Sequence, residues 1–479
     1  MLILIVVLLV LLAFFALLAV RAAAFGKRAA DPPPPAAPCP VDGSGAVERL
    51  AAMVRIPTVS NPDPAKFDEP QFAAFRALLP KFYPRVFAAC SCEQLDHTEL
   101  LLHWPGKSAA APVVLMAHYD VVPVEEDRWQ HPPFCGEVIA GELWGRGTLD
   151  TKITLLGILE AAETLIGSGF VPKNDLYFAF AGDEEVNGTG AKAAVETLRA
   201  RGVKPAMVVD EGGAVVEGVF PGVKRPMAVV GIGEKGMADI QLVAHSEGGH
   251  ASHPPRHSAV GVLSRAVVAC ENHPFPAKLT TPVREMLRTV GPYAPFGLRL
   301  VFANLWCFGG LLCAGAEKLG GELNAMMRTT MAFTMARGSK QSNVMPNEAT
   351  ATANLRLINT TTVEQAADHL RRAIGEDAVE VRVLHGTNAS PYADLSGVGW
   401  QTLSQAVAET WPDAIVTPYL MIACSDSRHF SAICTDVFKF SAMALSAEQR
   451  GLIHNDNERV PVETVGKTVE FFTRLIQKL

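Results

Sequence analysis

At 479 residues, 49% of them hydrophobic and 19% charged, the chain is long enough for two folded units and too apolar to be disordered overall. A net charge of −7, with no dense Lys/Arg run, argues against a nucleic-acid binder. The nine cysteines are irregularly spaced and match no zinc-ribbon pattern; Cys90-Ser-Cys92 is too tight to pair with itself, so free or buried thiols are expected.

Met1 to Val20 is unbroken apolar sequence, followed by Arg21, Lys27 and Arg28. Twenty such residues can cross a bilayer as a helix. The run is long for a signal-peptide core and no basic residue precedes it, so a single-pass membrane anchor over 1–20 is expected. A signal peptide cut near Ala22-Ala23-Ala24, with secretion, is the alternative. Positive charge after the run would keep the body in the cytoplasm. The Pro-rich stretch beginning at Asp31 makes 21–44 a stiff linker.

From Gly45 onward, strand-like and helix-like segments alternate. Strands are expected at 113–117, 176–181 and 206–209; helices are expected from the apolar face of 155–166 and at 191–201. This rhythm predicts an α/β unit over 45–235 with a mixed, largely parallel sheet, whose ligands bind beyond the carboxyl ends of the strands. After Gly236 the pattern changes to one-face-buried strands: 238–244, a helix at 258–270, strands at 329–336 and 349–358, a helix at 363–374 and a strand at 379–384. That is a β-α-β-β-α-β order, which predicts an inserted α+β, ferredoxin-like domain over 236–386. The α/β rhythm resumes over 387–479.

Polar residues cluster at the strand ends. In Ala117-His-Tyr-Asp, His118 and Asp120 face the same way on an extended chain, as a metal-binding histidine and its orienting carboxylate would. Asp150 follows a glycine-bracketed turn; taken alone it could be a helix N-cap. Glu184 and Glu185 close a strand, either as a solvated turn or as a general base beside a metal ligand. Asp210-Glu211 and His454 complete the set. Four acidic or histidine-bearing strand ends at one sheet edge would repel one another without cations. One aspartate shared between two metals, with two further ligands each, accounts for the inventory. Mixed His and carboxylate donors suit two Zn²⁺ ions, with Co²⁺ or Mn²⁺ as substitutes.

The order and spacing of AHYDVVP, WGRGTLDTK, AGDEEVNGTGA, VVDEGG, GGHASHPP, SNVMPNEATATANLRL, CSDSRHF and GLIHNDNE resemble the two-zinc aminoacylase/carboxypeptidase metallopeptidases, in the branch of carboxypeptidase S and the N-fatty-acyl-amino-acid hydrolase/synthases. The resemblance runs from about Ala46 to Leu479. It implies a zinc-peptidase catalytic domain with a lid/dimerisation domain, and a body outside the cytoplasm, against the charge rule. It implies that Asp150 bridges both zincs, that His118 and Asp210 complete one site, and that Glu185 and His454 complete the other. Glu184 would be the general base and Asp120 the orienter of His118. His250 would stabilise an oxyanion, often across a homodimer. Asn343 and Arg356 would hold the carbonyl and carboxylate of a small substrate with a free carboxylate, and Arg428 is a further carboxylate-binding candidate. Thr151 departs from the family, which has a second Asp there. The implied activity is hydrolysis of an amide to release a free amino acid, from an N-acyl amino acid or a dipeptide-like substrate. Condensation in the reverse direction, or an inactive binding relative, is the alternative.

One segment stands outside these motifs. Leu300 to Cys313, within 274–321, is very apolar for a region between the two halves of a lid. It reads either as core packing or as a wall for a long acyl chain, beside the active site or against a bilayer; Arg299, Asn304 and the glycines make it a poor second span.

Overall fold

The computed structural model describes residues 1–34, 36–39, 45–375 and 379–479. Residues 35 and 40–44 of the expected linker and 376–378 of the expected lid lie outside that description. An eight-stranded sheet organises the body. Its strands run in the spatial order Ser91–Leu95, Glu99–Trp104, Leu176–Ala181, Val113–His118, Met207–Val216, Val437–Leu445, Met227–Glu234 and Ile415–Met421. The strand Val113–His118 is parallel to both of its neighbours, and Met207–Val216 is parallel to Val437–Leu445; the first two strands run antiparallel. The central strands Val113–His118 and Leu176–Ala181 are buried on both faces, as a sheet covered by helices requires. The helix Lys152–Gly167 is buried along most of its length and packs against the C-terminal helix Val462–Lys478.

A second sheet of four strands has the order Thr330–Arg337, Glu348–Leu357, Gly236–His245, Val379–Thr387, all antiparallel. The helices Ala259–Asn272 and Val363–Ile374 cover it, the latter closed at its N-terminus by a Thr362–Gln365 capping box. These elements form their own apolar core, built on Ile240, Leu242, Leu263, Ala353 and Leu370. The connectivity is the split β-α-β arrangement expected of 236–386.

Residues 281–327 differ from that expectation. The helix Thr281–Val290 begins with Pro282 in its first turn and lays Val283, Met286, Leu287 and Val290 against Ile415–Met421, the edge strand of the large sheet. Those four residues, with Phe302, Met326 and Met327, join the core of the large sheet and not that of the small one. The reason is physical: the edge strand offers an apolar face, and the face of this amphipathic helix covers it. The helices Phe296–Phe302 and Leu305–Leu319 follow, meeting at a 106° bend. Trp306 and Leu311 are 62% and 70% exposed, so this segment is not simply core.

The N-terminal helix spans Leu2–Gly26, six residues beyond the expected 1–20. Its first four turns are exposed. Leu18, Ala22 and Phe25 share one face and are buried against the body, chiefly on Phe296–Phe302 and the turn Gly291–Tyr293. A Cβ at Gly291 would lie 2.7 Å from the Phe25 ring, so this close approach needs glycine. All nine cysteines are unpaired.

Candidate metal centre

His118 ends its strand and is almost wholly buried. Its Nδ1 lies 3.0 Å from the Asp120 carbonyl oxygen and 3.3 Å from the Asp120 carboxylate. That leaves Nε2 facing the pocket, 3.0 Å from Asp150 Oδ1 and 3.4 Å from Glu211 Oε1. Asp120, fully buried, also accepts the backbone amides of Glu184 (3.2 Å) and Glu185 (3.1 Å). One carboxylate therefore sets the histidine ring and the loop bearing the paired glutamates. The other oxygen of Asp150 lies 2.9 Å from His454 Nε2, and Glu185 Oε2 is 3.1 Å from that same nitrogen. Asp150 thus presents one oxygen to each histidine. The Asp150–Thr151 peptide is cis, and Thr151 Oγ1 pairs with Thr154 Oγ1 at 2.7 Å.

Asp210 and Glu211 separate. The Asp210 carboxylate accepts the Ser427 amide at 3.0 Å, whereas Glu211 reaches His118 Nε2 at 3.4 Å. The donor atoms of His118, Asp150 and Glu185, and those of His118, Glu184 and Glu211, lie close enough in each group to share one ion. The geometry thus places Glu211 where the resemblance implied Asp210.

Glu458, which the sequence reading did not assign, is fully buried behind this cluster. It accepts from Arg146 Nη1 (2.7 Å) and from the amides of Gly147 (3.1 Å) and Leu149 (2.7 Å). It therefore holds the turn that delivers Asp150. Its only sequence signal was its place in the GLIHNDNE motif, four residues after His454.

The charges bear on what the pocket can hold. Burial raises the carboxyl pKa of Glu184 well above the usual range and raises that of Glu185; burial and the neighbouring charge of Asp150 push Glu211 up to about 8. Hydrogen bonds to Asp150 and Glu185 push His454 up to about 10. Burial opposes charge on Asp150, but His118 and His454 hold its carboxyl well below the normal range. Glu185 Oε1 is buried without a hydrogen-bond partner. Anionic oxygens crowded beyond their counter-charge, one of them orphaned, fit a site for cations.

The remaining candidates lie on the lid, at its junction with the body and beside the Glu184–Glu185 turn. His250 sits on the short strand Gly249–His250, paired with Val344–Met345, and Ala251 donates to the Asn343 carbonyl. Because His250 Nδ1 accepts the Ser252 amide at 3.1 Å, a neutral ring carries its proton on Nε2. Arg356 stands where the small sheet meets the body, with Nη1 donating to Cys424 Sγ at 3.2 Å. Arg428 donates to the Ser425 carbonyl and to Asn187 Oδ1, beside the Glu184–Glu185 turn.

Residues 114–478 match peptidase family M20/M25/M40. The chain is 34% identical over 438 residues to the N-fatty-acyl-amino acid synthase/hydrolase PM20D1 of Xenopus tropicalis, covering 90% of this chain and 85% of that protein. It is also 34% identical to the probable carboxypeptidase S-like 2 of Dictyostelium discoideum, covering 90% and 84%. Among solved structures, the M20 family metallo-carboxypeptidase Sso-CP2 of Sulfolobus solfataricus superposes with a TM-score of 0.65 at 15% identity, covering 90% of this chain and 98% of that one. The YXEP protein of Bacillus subtilis, a dinuclear metal-binding M20 peptidase, gives 0.56 at 13% identity, covering 91% and 98%. The chain belongs to peptidase family M20/M25/M40 and is a metal-dependent hydrolase of amide or peptide bonds.

Proposed function

We propose that this chain is a membrane-anchored two-zinc enzyme that releases a free amino acid from N-acyl amino acids, fatty-acyl ones included. The observation that carries the metal assignment is Asp150, whose two oxygens face His118 and His454 at 3.0 and 2.9 Å. His118 and Glu211 would complete one zinc site, and Glu185 and His454 the other; His and carboxylate donors together suit zinc. Bound there, the metals would polarise the scissile carbonyl and make a water acidic enough to attack near neutral pH.

Asp120 fixes the His118 ring through Nδ1 and the Glu184 turn through its amide, so the two cannot drift apart. Glu184 takes the proton of the attacking water and delivers it to the leaving nitrogen; burial raises its pKa towards the range such an exchange needs. His250, with its proton on Nε2, donates to the developing oxyanion when the lid closes. Asn343 holds the carbonyl, and Arg356 grips the substrate carboxylate with its planar fork, with Arg428 a second candidate. The lid sheet is the proposed homodimer surface. The fatty-acyl preference draws on the relatives named N-fatty-acyl-amino acid synthase/hydrolase.

Purified enzyme, tested with and without added zinc on N-acyl amino acids of two to sixteen carbons, their carboxamides and Gly-X dipeptides, examines this reading. The expected result is zinc-dependent hydrolysis of the free acids, kcat/KM rising with acyl length, and much poorer carboxamides. Rapid cleavage of Gly-X with inert N-acyl substrates would make it a dipeptidase; equal rates on acid and carboxamide would remove Arg356 from carboxylate recognition.

A further inference from the structure

The exposed part of the N-terminal helix, residues 2–17, is about 24 Å long at 1.5 Å per residue. A hydrocarbon core is about 30 Å thick. If this helix crosses a bilayer, about four more residues, 18–21, must also lie within or at the edge of the apolar layer. Two of those residues, Leu18 and Arg21, already meet the body. Leu18 is buried, and its carbonyl accepts Asn304 Nδ2 at 3.2 Å. Arg21 donates from Nε to Asn304 Oδ1 (2.9 Å) and from Nη2 to the Ala303 carbonyl (3.1 Å). Phe14, one turn deeper, meets Trp306 edge-to-face at 6.1 Å. The bend between the helices Phe296–Phe302 and Leu305–Leu319 is therefore held at the depth of the bilayer surface.

The surface around that bend has the composition this depth demands. Phe296, Trp306 and Leu311 are exposed large apolar side chains. Arg21, Lys27, Arg28 and Arg299 lie near where the N-terminal helix meets the body, the level at which basic side chains meet lipid phosphates; tryptophan prefers the same boundary. Together the two helices are long and apolar enough for one broken segment in a membrane, bent by 106° at the break.

We propose that the bent pair Phe296–Phe302 and Leu305–Leu319 is a second membrane-contacting element, seated in the phospholipid leaflet from which the N-terminal helix emerges. The inference rests on reading that helix as a retained anchor. Its continuity with that anchor selects lipid as the occupant of the apolar face. A relay of side-chain contacts links this element to Arg356. Glu317, near the far end of Leu305–Leu319, pairs with Arg328 at 2.7 Å. The Arg328 carbonyl accepts Lys235 Nζ, and Cys424, which Arg356 touches, donates to the Lys235 carbonyl.

The test uses the full chain reconstituted in phosphatidylcholine vesicles with and without bromine at carbons 6 and 7 of one acyl chain. Density-gradient flotation reports the anchor, and quenching of tryptophan emission reports insertion. The expected result is flotation, with a bromine-dependent quench that disappears in Trp306→Phe while flotation persists. Leu311→Asp should weaken the quench and leave hydrolysis of a short, water-soluble substrate unchanged. Flotation with the same quench in Trp306→Phe overturns the insertion and leaves the anchor standing. Failure to float overturns both. Flotation without any quench, together with a detergent-solubilised dimer that Leu311→Asp separates, assigns the apolar face to a second copy and overturns the inference.

Discussion

Replacing Glu211 by Gln, with Asp210→Asn as its companion, isolates which of two adjacent acids serves the centre. Glu211 Oε1 lies 3.4 Å from the His118 nitrogen that faces the pocket, and its side chain is 14% exposed. Two unit charges about 4 Å apart interact by about 4 kcal/mol at an effective dielectric of 20. Discounted for partial exposure, loss of this charge should weaken metal binding at that site by about 2–4 kcal/mol, or roughly thirtyfold to a thousandfold. Asp210→Asn removes the charge but keeps an amide oxygen that can accept the Ser427 amide at 3.0 Å, so metal affinity should fall less than about tenfold. Its cost should appear in stability, because Asp210 also compensates the buried Lys439 ammonium. Competition against a fluorescent chelator, with metal counted by mass spectrometry, separates the two variants. Asp210→Asn stripping the metal while Glu211→Gln retained both ions would refute the geometric reasoning and restore the assignment that the resemblance implied.

Three further expectations concern the same centre. Glu184→Gln should keep both metals and lose at least about a hundredfold in kcat, the scale of a positioned acid–base group; a metal-free variant would show that Glu184 is a ligand instead. Glu458→Ala leaves Arg146 buried without its partner and should lower urea-unfolding stability by about 3–5 kcal/mol, and a change below about 1 kcal/mol would show that the turn holds itself. In the metal-free protein His118 is held well above its usual pKa, mainly by Glu211, Asp120 and Asp150 against the opposing effect of burial, and His454 is held at about 10. Both rings therefore carry protons at pH 7 that metal must displace. Glu211, a proposed ligand pushed up to about 8, is also largely protonated at pH 7, so calorimetry in buffers of different ionisation enthalpy should report about three protons released per chain, with affinity rising steeply as pH rises through neutrality; buffer-independent heats would contradict this.

Much of this protein is legible before folding. The alternation of apolar runs locates three strands of the large sheet, at 113–117, 176–181 and 206–209, and the four of the small one, because β and α segments bury side chains with different periods. The two-residue spacing of His118 and Asp120 places them on one side of an extended chain, and Asp120 does meet the ring. The apolar N-terminus declares a helix long enough to cross a bilayer by composition alone. What local pattern could not supply is the choice between Asp210 and Glu211. Side chains alternate along a strand, but Met207 to Asp210 are all buried, so no polar–apolar rhythm marks which face meets the pocket. Glu458 holds backbone amides some 309 positions away, a contact with no local signature. The segment 281–327, bracketed by lid strands in sequence, joins the core of the larger sheet because an apolar edge strand distant in the chain lies within its reach. Local periodicity records which face of an element is apolar; only the packed chain decides which other surface that face will find.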